Sequence, residues 1–146
     1  IEGELQHPEL AVQHWRRDEL VVCCAPDHPL AAREVLSDDD LVGVPWILRE
    51  AGSGTRQAFD RAMAGLLPDI QVLLELQHTE AIKRAVEQRL GIACLSAIAL
   101  ADAFRAGRLV PLSVPHRNLE REFYIILHRH KYRSSGIREW LALCRE

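Results

Sequence analysis

Ser53 and Thr55, set among Gly52, Gly54 and Arg56, are the residues of this chain best placed to do chemistry. That chemistry is the holding of an anion rather than the breaking of a bond. Gly52 and Gly54 accept backbone angles that a β-carbon forbids and let a ligand come close. The hydroxyls of Ser53 and Thr55 donate hydrogen bonds and are natural helix caps. A helix from about Thr55 to Ala64 would aim its unpaired N–H groups and positive dipole end at this turn, and the combination makes an anion seat. Taken alone, the turn reads first as a glycine-rich connection with an ordinary cap, and its context must argue for the anion.

A second cluster follows, Gln77-His78-Thr79. Gln77 and Thr79 offer neutral donors and His78 a proton-dependent one, or His78 is simply a polar neighbour of a helix cap. If the strands preceding the two clusters are neighbours, both helix N-termini converge on one small anion. Arg49 and Arg56 either clamp that anion or pair with Glu50 and Asp60 on the surface, the latter at i,i+4 spacing. His128 and His130 share a strand face, too few ligands for a metal site. The chain has no nucleophile elbow, P-loop lysine or dinucleotide glycine fingerprint. For acid–base catalysis only His78 and Glu80 offer themselves, so no catalytic residue, metal or cofactor is assigned.

The elements that must position these groups are legible. Val44 to Leu48, Asp69 to Leu76, Ile92 to Leu95 and Leu109 to Leu112 read as strands, alternating with helices at about Thr55–Ala64, Glu80–Arg89 and Ala97–Ala106. Phe59, Met63 and Leu66 form the inner face of the first helix, and Ala81, Ile82, Ala85 and Val86 that of the second. Thr79 and Ser96 are expected caps, and Gly91 is expected as a left-handed helix terminator. The alternation predicts an α/β fold with a largely parallel sheet. Outside it stand a strand at Glu19–Ala25, a short helix capped by Ser37, a strand at Glu122–His128, and a final helix presenting Ile137, Trp140, Leu141 and Cys144. Ile1 to Glu4 reads as the tail of a strand, which makes the chain a fragment of something longer.

With 146 residues, 48% hydrophobic and 27% charged, the sequence suits a globular domain that buries roughly two-thirds of its unfolded surface. A net charge of −3 gives no electrostatic footprint for nucleic acid. Apolar runs are strand-sized, short of the roughly 18 residues a membrane helix needs. Cys23, Cys24, Cys94 and Cys144 lack zinc spacings and read as reduced thiols, with Cys23 and Cys24 facing opposite ways.

Several motifs in order resemble one family. Asp18-Glu19-Leu20-Val21-Val22 with Pro26-Asp27-His28-Pro29-Leu30, and Pro45-Trp46-Ile47-Leu48-Arg49-Glu50-Ala51-Gly52-Ser53-Gly54-Thr55-Arg56, are similar to the effector domain of LysR-type transcriptional regulators. So are Glu80 to Val86, Leu90-Gly91-Ile92, Leu95-Ser96, and Arg121-Glu122-Phe123 through His130-Lys131. The resemblance implies a two-lobed fold like periplasmic binding proteins, with the second lobe complete and the first partly present. Residues 1–25 would be the end of the first lobe and the outgoing crossover strand. The second lobe would span 26–120, and 121–146 would be the return strand and helix of the first lobe. Ser53, Gly54, Thr55, Gln77, His78 and Thr79 fall on its ligand-contacting loops. It further implies a cytoplasmic homodimer or homotetramer that senses a small anionic metabolite, carboxylate or sulfate-like. Contact with DNA would come only through an N-terminal winged helix-turn-helix that this chain lacks. A solute-binding or carboxylate-metabolite enzyme domain of the same architecture is the alternative.

Overall fold

The central strands carry apolar residues on both faces because helices cover both. Alternate residues of each strand enter one of two cores. Leu20, Val22, Cys24, Trp46, Leu48, Ile92 and Cys94 point to one side, with Phe59 and Met63. Cys23, Ile47, Ala93 and Leu95 point to the other, with Ile82, Val86, Leu100 and Ala103. Cys23 and Cys24 therefore do face opposite ways, both buried.

The computed structural model describes residues 1 and 5–144. In order the elements are β1 (Leu10–Cys24), a 3-10 turn, α1 (Asp38–Val42), β2 (Pro45–Arg49), α2 (Gly54–Ala62), a second 3-10 turn, β3 (Gln71–Leu76), α3 (Thr79–Glu87), β4 (Ala93–Ser96), α4 (Ala97–Arg105), β5 (Val110–Leu112), β6 (Glu120–His128) and α5 (Ser135–Leu143). They fall into two compact units: Asp18–Glu120, and Ile1–Arg17 with Arg121–Glu146.

In the larger unit β2 and β3 are parallel, and a parallel bridge joins Trp46 to Ile92 just ahead of β4. β1 pairs antiparallel with both β4 and β5. The strands of the βα alternation thus all run one way, as expected, and β1 is inserted against them. Trp46 anchors the layer: it is fully buried, its ring centroid lies 5.0 Å from that of Phe59, and its Nε1 donates to Leu41 O at 2.7 Å. α1 starts with a complete capping box, Ser37 and Asp40 satisfying each other's backbone N–H groups.

In the smaller unit β6 pairs with β1. Trp15 Nε1 donates to Cys144 O at 2.6 Å, and Leu141 of α5 is buried. Trp140, on the apolar face of α5 with Leu141, is 55% exposed. The expected strand tail at Glu2 to Glu4 lies outside the described residues.

Four local expectations need correction. β1 begins at Leu10 rather than Glu19; its polar run Gln13 to Arg17 is exposed and hides the strand pattern. Gly91 is not the left-handed terminator of α3, since Arg89 holds the positive φ of 63°. The cap position of α3 belongs to His78, with Thr79 already helical. On α3, Ala81 is exposed while Lys83 is buried, because Lys83 Nζ donates to Asp102 Oδ1, Glu80 Oε1 and Ala99 O at 2.8–2.9 Å.

Candidate functional site

Arg49, the last residue of β2, pairs in register with Leu76, the last of β3. The two loops expected to hold an anion therefore leave side by side from the same end of neighbouring parallel strands, the end at which open α/β sheets take ligands. Gly52 turns the first loop with a φ of 92°, a left-handed angle natural to glycine. Ser53 sits at the cap of α2 in extended conformation, and its Oγ accepts from Arg56 N at 3.0 Å. Its hydroxyl proton stays available to a ligand. The N–H groups of Gly54 and Thr55 lie ahead of the first helical bond, Gln57 N to Ser53 O at 2.9 Å, in the first turn of the helix. Thr55 is buried and Ser53 half-buried.

Across β3, Gln77 and His78 are exposed and Thr79 is half-buried. The first bond of α3 runs from Ile82 N to His78 O at 3.1 Å, leaving the amides of Thr79 and Glu80 at its open end. A direct link between the two loops is Arg49 Nη1, 3.5 Å from Thr79 Oγ1.

Of the two possibilities for the flanking arginines, pairing is the one seen. Arg49 forks both oxygens of Glu50, Nε to Oε2 at 2.8 Å and Nη2 to Oε1 at 3.0 Å. That guanidinium, above all, holds the Glu50 carboxyl below its ordinary range. Arg56 ties α2 to both strands: Nε reaches Asp60 at 2.9 Å, and Nη1 reaches Arg49 O and Glu75 Oε2, each at 3.0 Å.

Ser96 also stands at this end of the sheet, at the cap position of α4, but its hydroxyl donates to Asp18 Oδ1 at 2.9 Å instead of capping the helix. The sequence carries no local signal for this pair, whose members are 78 positions apart. A concavity of about 660 Å³ in this unit lies elsewhere, along Leu20 to Val22 and Leu112 to Glu120. Its arginine, Arg117, is already committed to Asp38 and to the carbonyls of Ala62 and Ala64. Among the described residues no cluster of three or more His, Cys, Asp or Glu could hold a metal, and no helix is long and apolar enough to cross a membrane.

The family model of the LysR substrate binding domain matches residues 1–146. The chain belongs to this family. An HTH-type transcriptional regulator of Escherichia coli, YeiE, is 42% identical over 144 residues, which are 99% of the chain and 49% of that protein. The HTH-type transcriptional activator CmpR of Synechocystis is 36% identical over 123 residues, 84% of the chain and 40% of that protein. Among solved structures, the Synechocystis CcmR regulatory domain in complex with 2-PG is similar, with a TM-score of 0.86 and 29% identity over 99% of this chain and 70% of that one. The fold is thus that of the two-lobed LysR effector-binding domains, and its named relatives are transcriptional regulators. The LysR-family chain spans about half the length of the E. coli relative.

Proposed function

We propose that this chain is the effector-sensing part of a LysR-type transcriptional regulator and that it takes a small anionic metabolite, carboxylate or sulfate-like, at the open ends of α2 and α3. The observation that carries this reading is the parallel pairing of β2 with β3, which sets two helix N-termini side by side. Ser53 and Thr55 give hydroxyl donors, Gly54 and Thr55 backbone amides, and Gln77, His78 and Thr79 the second wall. A bound small molecule, 2-PG, in the related CcmR domain agrees with this role. No bond is made or broken, so the chain acts as a sensor and not as an enzyme. Binding shifts a homodimer or homotetramer between conformations that hold DNA differently through an N-terminal winged helix-turn-helix, in the cytoplasm. Self-association fits the open edge of β3, where Val72 and Leu73 are about half exposed.

The test is the thermal midpoint of the full-length protein with and without sulfate, phosphate or small carboxylates at constant ionic strength. Ligand at about 100 times its Kd should add about 2.7 kcal/mol. The shift is expected to vanish in Ser53→Ala and Thr55→Ala. A shift that survives both substitutions would remove the effector from this turn.

A further inference from the structure

The anion site already holds an anion of the protein's own. Glu50 fills the fork of Arg49 with both carboxylate oxygens, at 2.8 and 3.0 Å. The third nitrogen of that guanidinium faces Thr79 Oγ1 at 3.5 Å, on the second loop.

This pair does little for the fold. Arg49 and Glu50 are neighbours in sequence, and their side chains are 21% and 30% exposed. An ion pair so placed contributes roughly 0–1 kcal/mol. Arg56 makes the contrast: its guanidinium bridges α2, β2 and β3 through Asp60, Arg49 O and Glu75, and is spent on structure. Two oxygens of one carboxylate on a planar fork is also the geometry in which arginine binds free carboxylates and other oxyanions.

We infer that Glu50 is an internal stand-in for the effector, occupying Arg49 until an oxyanion displaces it. The inference rests on the effector-site reading above and adds a residue to it: Arg49 is the cation of the site and Glu50 sets the threshold for occupancy. An incoming group must offer two oxygens at carboxylate, sulfate or phosphate spacing to take over the fork. Chloride and neutral ligands lack that pair and leave Glu50 in place. The released Glu50 carries its charge out to solvent, so occupancy rearranges the β2–α2 loop as well as filling it.

The experiment is a calorimetric titration of the full-length protein with sodium sulfate, against sodium chloride at equal ionic strength, in wild type, Glu50→Gln, Arg49→Gln and Ser53→Ala. Glu50→Gln keeps the shape and removes the competing charge, and it should bind sulfate about tenfold more tightly, about 1.4 kcal/mol. Arg49→Gln should lose at least as much. Sulfate that binds Glu50→Gln but not wild type supports the inference most directly. Unchanged or weaker binding in Glu50→Gln, while Ser53→Ala still abolishes binding, overturns the stand-in and leaves the site in place. Unchanged binding in Ser53→Ala and Arg49→Gln alike overturns the site itself. Sulfate binding to neither wild type nor Glu50→Gln overturns the stand-in for oxyanions.

Discussion

Gly91 packs its backbone directly against the carbonyl of Pro45. A β-carbon at position 91 would run into Pro45 O and lie 3.0 Å from its carbonyl carbon. The approach is fixed by two hydrogen bonds, Ile92 N to Pro45 O at 3.0 Å and Ile47 N to Ile92 O at 2.8 Å. These bonds attach β2 to the chain entering β4. Gly91→Ala must push the strands apart at this seam, and the obstacle is backbone that cannot rotate away. The expected loss is about 1–3 kcal/mol, and at this chain length each kcal/mol is worth about 4 °C of thermal midpoint. Differential scanning calorimetry checks it; an unchanged midpoint would show that the seam is slack.

The same glycine marks the limit of what the sequence could reveal. Its position after α3 suggested a helix terminator, a local role, whereas its real constraint comes from Pro45, distant in sequence. Cys23 and Cys24, Ser53 and Gly52 were legible because strand alternation, helix capping and turn geometry are set by immediate neighbours. Lys83 was not: on its own helix it reads as surface charge, and only Ala99 and Asp102 on α4 make burial tolerable. For the candidate site, both loops could be read, but the neighbourhood of β2 and β3 could not. Nor could the choice Arg49 makes between Glu50 and a ligand, which depends on side-chain placement.

Lys83 is 3% exposed, yet all three of its protons have acceptors. Burial pushes its pKa down, and bonds to Asp102 and Glu80 more than compensate, so the net shift is upward. A raised folded pKa gives stability that is complete below the unfolded value, near 10.4, and fades as pH climbs through the folded one. Lys83→Met should lose about 1–3 kcal/mol at pH 7, the carboxylates being exposed enough to rehydrate. Urea unfolding from pH 7 to 11 should show the gap between wild type and variant closing only at the alkaline end. A gap constant to pH 11 would mean that the ammonium contributes nothing specific.

Asp38 gives the opposite pH dependence. Arg117 Nη2 and Nε reach its carboxylate at 2.6 and 3.2 Å, and His116 Nε2 lies 2.8 Å from Oδ1. Arg117 first, then His116, holds the Asp38 carboxyl below its ordinary range. Stability from a depressed pKa is present above the unfolded value, near 3.9, and is lost as pH falls through the folded one. Asp38→Asn should therefore have a lower urea midpoint than wild type at pH 7, and the two should converge below about pH 4. A difference that does not shrink at all as pH falls below about 4 would assign it to hydrogen-bond geometry instead of charge.

The cysteines separate by burial. Cys23 is pushed up to about 12, chiefly by burial and further by Cys24, while burial and then Asp27 push Cys24 up to about 11. Cys94 is 2% exposed, and Cys144, at the end of α5, is half-buried. A thiolate is the reacting species, so a thiol that is both buried and kept protonated reacts only through opening of the fold. At pH 8 an aromatic disulfide reagent should modify Cys144 first. The other three should follow at rates scaled by the open population, roughly 10⁻³ to 10⁻⁶ for a native domain. Urea should bring all four into one fast phase, and Cys144→Ser should abolish the native phase. Rapid native labelling of Cys23 would instead require β1, held by pairing with both β4 and β5, to leave the sheet without global unfolding.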